Sequence, residues 1–236
     1  DLKGLISEKY WSFIYGLLFW NIIFMKSEHC LNISPVHPQY DYYYNRLKNN
    51  EIDMPNDFFK DTFYIDRINA IQSRFEELRK SDISEEIKKS YNAHYNKPCR
   101  AIDNWNRFTL DELLIAPTHL HNEQLLTILE RLIKNFKEYT LGFPELIIYN
   151  SKELFFVEVQ GRNDKLSEKQ IKWQEYLLTK SKINTVLFTM NKTEGQITSI
   201  KNKYNNIPII QVNDKMNLTD LDTIKIANEE DIKDKQ

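Results

Sequence analysis

Glycine is scarce in this chain, five in 236 residues, and none of them falls in a phosphate loop or a dinucleotide-binding fingerprint. Cysteine is scarcer. Cys30 and Cys99 stand far apart, which excludes a disulfide framework and a zinc site and reads as free thiols in a reducing, intracellular compartment. Excess positive charge is missing too: 32 basic residues face 34 acidic ones, a net charge of −2. Any nucleic-acid contact must then rest on local patches, not on a global basic field. No long apolar run is present. Trp11 to Met25 comes nearest, but Lys9 and Lys26 bracket it and Gly16 and Asn21 interrupt it. It falls short of the roughly 20 apolar residues of a membrane span and reads as a buried core helix. There is no signal peptide and no internal repeat. Asn32-Ile33-Ser34 has the pattern of a glycosylation acceptor, but Pro35 follows and nothing else suggests secretion. The chain starts at Asp1, which reads as a fragment of a longer protein.

What is present, 41% hydrophobic and 28% charged residues, suits one globular domain with a sizeable core. After the opening helix, 31–57 reads as a loop, with three prolines and the aromatic cluster Tyr40, Tyr42, Tyr43 and Tyr44. That cluster either packs over a core edge or stacks on bases. A helix is expected over 57–80, with Ile65, Ile68, Ile71, Phe75 and Leu78 on one face, and a shorter one over 84–92. Thr109-Leu110-Asp111-Glu112 is a capping box, and Leu125 to Phe136 carries a helical stripe. His119 and His121 form an H-x-H pair with no third metal ligand nearby, which reads as a loop before that helix.

The chemistry concentrates in 142–170. Two short strands, 144–149 and 154–160, flank the turn residues Asn150-Ser151-Lys152-Glu153. Counting outward from that turn pairs Tyr149 with Leu154 and Glu145 with Glu158. Side chains so paired have Cβ atoms about 5 Å apart. Two carboxylates there repel unless a divalent cation lies between them, and hard oxygen ligands suit Mg²⁺ or Mn²⁺. Ser167-Glu168-Lys169-Gln170 is a second capping box, 184–190 reads as a strand, and 207–212 as an added edge strand. Helix, strand, strand, helix, strand is the order of an α/β core with a mixed sheet. From 214 onward the chain turns polar and charged and is expected to be a mobile tail.

Gly142-Phe143-Pro144-Glu145-Leu146, Glu158-Val159-Gln160-Gly161, Asn163-Asp164-Lys165-Leu166-Ser167, Gln170 and Trp173 together resemble the VRR-Nuc domain of the PD-(D/E)XK superfamily. Within it they resemble the Fanconi-associated nuclease type. Tyr15 to Met25 is similar to the helix opening that domain, and Trp105-Asn106-Arg107-Phe108-Thr109 to a later landmark, so roughly 8–190 is covered. The resemblance implies a PD-(D/E)XK nuclease-like core preceded by a mainly helical region. The expected division is 1–140 helical, 141–192 VRR-Nuc core, and 193–236 extension and tail.

It further implies a metal-dependent nuclease, acting as endonuclease or exonuclease with 5′-to-3′ polarity on flapped or branched DNA in interstrand-crosslink repair. Its location would be intracellular, the nucleus of a eukaryote or the cytoplasm or nucleoid of a bacterium. Repair-protein partners would dock through regions not in this chain, and no membrane is involved. The ligands it implies are Glu145, Glu158 and the Val159 carbonyl. Glu8 is either a further ligand, with a one-residue shift from the family spacing, or a charge at a helix N-terminus. Lys165 and Lys169 are either DNA-phosphate contacts or solvated charges; Asp164 and Gln170 are expected to support the site. Gln160 stands where the family has lysine and Glu145 where it has aspartate, which keeps open a degenerate nuclease fold that binds DNA or protein without chemistry.

Overall fold

The computed structural model describes residues 1–27, 37–49, 51–204 and 206–212. Cys30, the Asn32-Ile33-Ser34 triplet and the polar run from 214 lie outside the described residues. The chain forms two compact units: 1–6 with 142–236, and 7–141.

The first unit is a mixed five-stranded sheet in the order β1-β2-β3-β4-β5. Its strands are β1 (Lys3–Ile6), β2 (Leu146–Tyr149), β3 (Leu154–Gln160), β4 (Thr185–Met190) and β5 (Ile209–Val212). β2 runs antiparallel to both of its neighbours, β1 and β3, and β3, β4 and β5 run parallel. Asn150 makes the hairpin turn: its Oδ1 accepts from the N–H groups of Lys152 and Glu153 at 2.8 and 3.1 Å, and its own N–H donates to the Glu153 carbonyl at 3.0 Å. The result is the expected register, Tyr149 opposite Leu154. Alternation along β3 puts Phe155 and Val157 into an apolar layer with Val186, and Phe156, Glu158 and Gln160 on the other face.

A helix covers that second face. Glu168–Tyr176 is α-helical and widens into a π-helical turn over Leu177–Ser181 before β4. Phe143 is wedged edge-on between Phe156 and Trp173, at ring distances of 5.0 and 4.9 Å. The Thr185 hydroxyl donates to the Gln174 amide oxygen at 2.8 Å, joining β4 to the same helix. A final helix, Glu194–Lys203, is capped by Thr193 and Gln196 and leads to β5, so the sheet continues past the core boundary expected at 192. The first six residues also depart from the expected helical region: they supply edge strand β1.

The second unit is helical: α1 (Tyr10–Leu18), α2 (Trp20–Ile23), α3 (Pro38–Lys48), α4 (Asp61–Asp66), α5 (Ile68–Lys80), α6 (Ile83–His94), α7 (Leu110–Leu113), α8 (Ile115–His119), α9 (Asn122–Lys134) and α10 (Phe136–Tyr139). The helices after β3 and β4 are accordingly α11 (Glu168–Tyr176) and α12 (Glu194–Lys203). Every side chain of α1 is buried. Gly16 permits its close approach to 101–102, since a Cβ there would lie 2.8 Å from Ile102 Cγ1.

Three expectations are corrected. The opening helix breaks at Phe19. The segment read as loop contains α3, because Pro38 suits the first helical position, His37 Nδ1 caps the Gln39 N–H, and Tyr40, Tyr44 and Leu47 make a buried stripe. The helix expected over 57–80 breaks at Arg67, whose guanidinium turns inward to Asp57 at 2.6 Å and to the Ile22 carbonyl at 3.1 Å. Ile65 is therefore 64% exposed, while Ile71, Phe75 and Leu78 stay in the core. His121 caps α9, and His119 Nδ1 pairs with the Ile115 carbonyl, so the H-x-H pair serves local structure.

Candidate active site

Strand β2 begins only at Leu146, opposite Val157, so residues 158–160 of β3 keep a strand partner on the β4 side only. The Phe156 N–H bonds toward β4, to the Asn184 carbonyl at 3.0 Å. Backbone groups alternate along a strand, so the Val159 carbonyl faces the open side. The β2 ladder stops at the Leu146–Val157 pair, so no β2 residue pairs with Val159 on that side.

Glu145, in the bend before β2, is one residue beyond the last ladder pair, Leu146–Val157, and both its N–H and its carboxylate act on Glu158. The two differ sharply in environment: Glu145 is exposed, and Glu158 is 1% exposed. Gln170 on α11 reaches Glu158. Its Nε2 donates in a short hydrogen bond to Glu158 Oε1, while its Oε1 accepts from the Ser167 N–H at 2.8 Å. One amide thus caps the helix and orients the carboxylate. Glu158 Oε2 is buried with no hydrogen-bond partner among the described residues. Burial pushes the Glu158 carboxyl up from 4.5 to about 8. The Glu145 carboxylate adds to the rise, and the Glu145 N–H and Gln170 oppose it.

An orphaned buried carboxylate oxygen, a second carboxylate beside it and the Val159 backbone carbonyl at the strand end make an oxygen-only donor set. It fits a hard divalent cation such as Mg²⁺ or Mn²⁺. Gln160, two residues along on the same face, is 2% exposed and carries no charge.

The loop after β3 is closed on itself. Asp164 Oδ2 accepts from the Gly161 N–H at 2.9 Å, so this carboxylate orders the loop. Lys165 is exposed in the loop and Lys169 half-buried on the first turn of α11. Glu8 belongs to the helical unit, exposed in the turn before α1. Tyr15 sits in an aromatic core with Phe19, Phe58 and Phe136. Among the described residues no three His, Cys, Asp or Glu side chains gather as a metal cluster.

Two positions take roles that the sequence alone does not assign, although Gly142 belongs to the Gly142–Leu146 motif. Gly142 has φ +83°, and a Cβ there would lie 2.7 Å from the Lys169 backbone. It lets the Glu145 loop sit against the start of α11, where Gln170 is. Gly142→Ala is expected to cost about 2–4 kcal/mol, from strain at positive φ plus the clash, read as a lowered denaturant midpoint at unchanged slope. Lys192, a single lysine just after β4, is 5% exposed and donates to the carbonyls of Gly161 and Asp164 at 2.8 and 2.9 Å.

Residues 78–188 match the VRR-NUC domain family. The Fanconi-associated nuclease 1 of Homo sapiens is 30% identical over 169 residues, covering 69% of this chain and 15% of that protein. The homolog from Schizosaccharomyces pombe is 31% identical over 128 residues, covering 53% of this chain and 18% of that one. The homolog from Oryza sativa subsp. japonica is 26% identical over 169 residues, covering 69% of this chain and 16% of that one. This chain thus spans less than a fifth of these relatives' length. A crystal structure of paFAN1 bound to 1nt 5′ flap DNA with a gap shares the fold, with TM-score 0.66 and 18% identity over 81% of this chain and 33% of that one.

Proposed function

We propose, on the premise that this chain carries a VRR-NUC domain of the Fanconi-associated nuclease type, that it hydrolyses DNA phosphodiester bonds with Mg²⁺ or Mn²⁺ at Glu145, Glu158 and the Val159 carbonyl. The observation that carries the reading is the buried Glu158 carboxylate, with one oxygen orphaned and the other held by Gln170, facing Glu145 across the hairpin. A bound divalent cation supplies a water of lowered pKa and a Lewis acid for the phosphoryl oxygen. The chain's own residues do the rest. Glu145 and Glu158 hold the cation and place it, and Gln170 keeps Glu158 in one rotamer. Gln160 can donate hydrogen bonds to a phosphate or an attacking water but exchanges no proton. Lys165 and Lys169, at the N-terminal end of α11, are assigned to DNA phosphates.

The finer assignment is structure-specific cleavage of 5′ flaps or branched DNA with 5′-to-3′ polarity, in interstrand-crosslink repair inside the cell. It takes its support from the names of the relatives and from the flap DNA bound by paFAN1. The test is cleavage of end-labelled 5′-flap and plain duplex DNA with Mn²⁺, Mg²⁺ or EDTA. Flap cleavage that needs the metal is expected; equal cleavage in EDTA sinks the metal site.

A second reading rests on the buried, uncharged Gln160: a degenerate fold that binds DNA or protein without chemistry. Gln160→Lys separates the two. A silent parent and an active variant favour degeneration, and an active parent ends it.

A further inference from the structure

Lys192 is the one buried lysine in the core of the described residues, and neither the metal site nor the apolar core accounts for it. Burying an ammonium is costly unless its donors are satisfied. Here two of its three N–H groups go to backbone carbonyls, Gly161 at 2.8 Å and Asp164 at 2.9 Å. Those carbonyls are the two ends of the turn that follows β3, the same turn closed internally by Asp164 Oδ2 on the Gly161 N–H at 2.9 Å and by the Asp164 N–H on the Gly161 carbonyl at 3.2 Å. No carboxylate ion-pairs with Lys192 among the described residues, so its charge stays with the turn. Lys192 is itself held in place. Its carbonyl accepts from Gln211 Nε2 on β5 at 2.8 Å, and nearby Gln196 Nε2 donates to the Arg162 carbonyl at 3.2 Å.

Gly161 follows Gln160 directly and lies three residues beyond Glu158, at the strand end that has lost its β2 partner. A strand paired on one side only is free to move there unless something fixes its end. We infer that Lys192 is a positioning residue for the reaction: it clamps the 161–164 turn to the end of β4 and so fixes the Val159 carbonyl and Gln160 relative to Glu158. The clamp also sets the Lys192 side chain against Gly161, the residue next to the uncharged Gln160. This role rests on the nuclease reading of the site; the clamp itself does not.

The test compares the whole chain as wild type, Lys192→Met and Lys192→Arg. Met keeps the stem and removes the donors and charge, whereas Arg keeps both. Hydrogen exchange at the amides of 161–165, measured without metal or DNA, reads the clamp independently of catalysis. Lost protection confined to this turn in Lys192→Met, with Lys192→Arg near wild type, is expected. Unchanged exchange, or loss spread over the whole sheet, overturns the clamp. In flap cleavage with Mn²⁺, Lys192→Met is expected to lower kcat about 100-fold with KM for DNA held within about threefold, because misplacement acts on the reacting geometry and not on binding. Lys192→Arg should recover most of kcat. A loss of kcat that only follows the folded fraction, or equal loss in both variants, overturns the positioning role. If wild type cleaves nothing while the turn is protected as expected, the nuclease reading falls and the clamp stands.

Discussion

Glu158→Ala is expected to lower metal-dependent DNA cleavage at least about a thousandfold, or about 4 kcal/mol of transition-state stabilisation. The size follows from geometry. Glu158 is buried, faces a second carboxylate, and has one oxygen with no protein partner and the other fixed by Gln170. Its neighbours do not replace it, since Glu145 is exposed in the bend before β2 and Gln160 is neutral. Glu158→Gln is the sharper variant. It keeps the bulk and a hydrogen-bonding amide beside Gln170 while removing the charge a cation needs, so cleavage should fall as far as in Glu158→Ala with the fold intact. Glu153→Gln, at the exposed hairpin turn, is the control and should cleave as wild type. Cleavage by Glu158→Gln within about tenfold of wild type would remove Glu158 from the chemistry.

The site was legible in the sequence because its determinants are local. Asn150 makes its turn with residues two and three positions away, and that turn alone fixes which residues of β2 and β3 face each other. The Ser167–Gln170 box is also local, and it delivers Gln170 to Glu158. What stayed hidden depends on distant partners. β1 is a four-residue strand, Lys-Gly-Leu-Ile, with weak alternation, and it pairs with residues some 140 positions later. Lys192 acquires its role only when β4 lies beside β3 and its tip meets the turn after Gln160. Arg67 reads as a surface charge on a helix, yet its pair with Asp57 puts it in the core and breaks the helix the apolar spacing predicts. Helix α3 was concealed by Pro38, which marks a helix start as readily as a loop.

The second large effect is a dependence of stability and metal binding on pH. Folded Glu158 holds its proton up to about 8, against 4.5 for an ordinary glutamate, chiefly because it is buried and then because Glu145 lies beside it. Between those values the metal-free folded state binds more protons than the unfolded chain, so stability falls as pH rises. The contribution is whole below about 4.5 and is lost as pH passes through about 8. The loss should reach about 4–5 kcal/mol, on the order of 10–15 °C in Tm for a domain of this size. Glu158→Gln removes the titrating group. Without metal it should be more stable than wild type at pH 8 by a comparable amount, and nearly equal to it at pH 5. A divalent cation reverses the wild-type trend, because it binds the carboxylate and competes with the proton. The rise in Tm on adding Mn²⁺ should therefore grow from pH 6 to pH 8 in wild type and vanish in Glu158→Gln. Thermal denaturation of both proteins across that range, in EDTA and in Mn²⁺, reads both effects. An Mn²⁺ stabilisation independent of pH, or retained in Glu158→Gln, would place the cation elsewhere on the molecule.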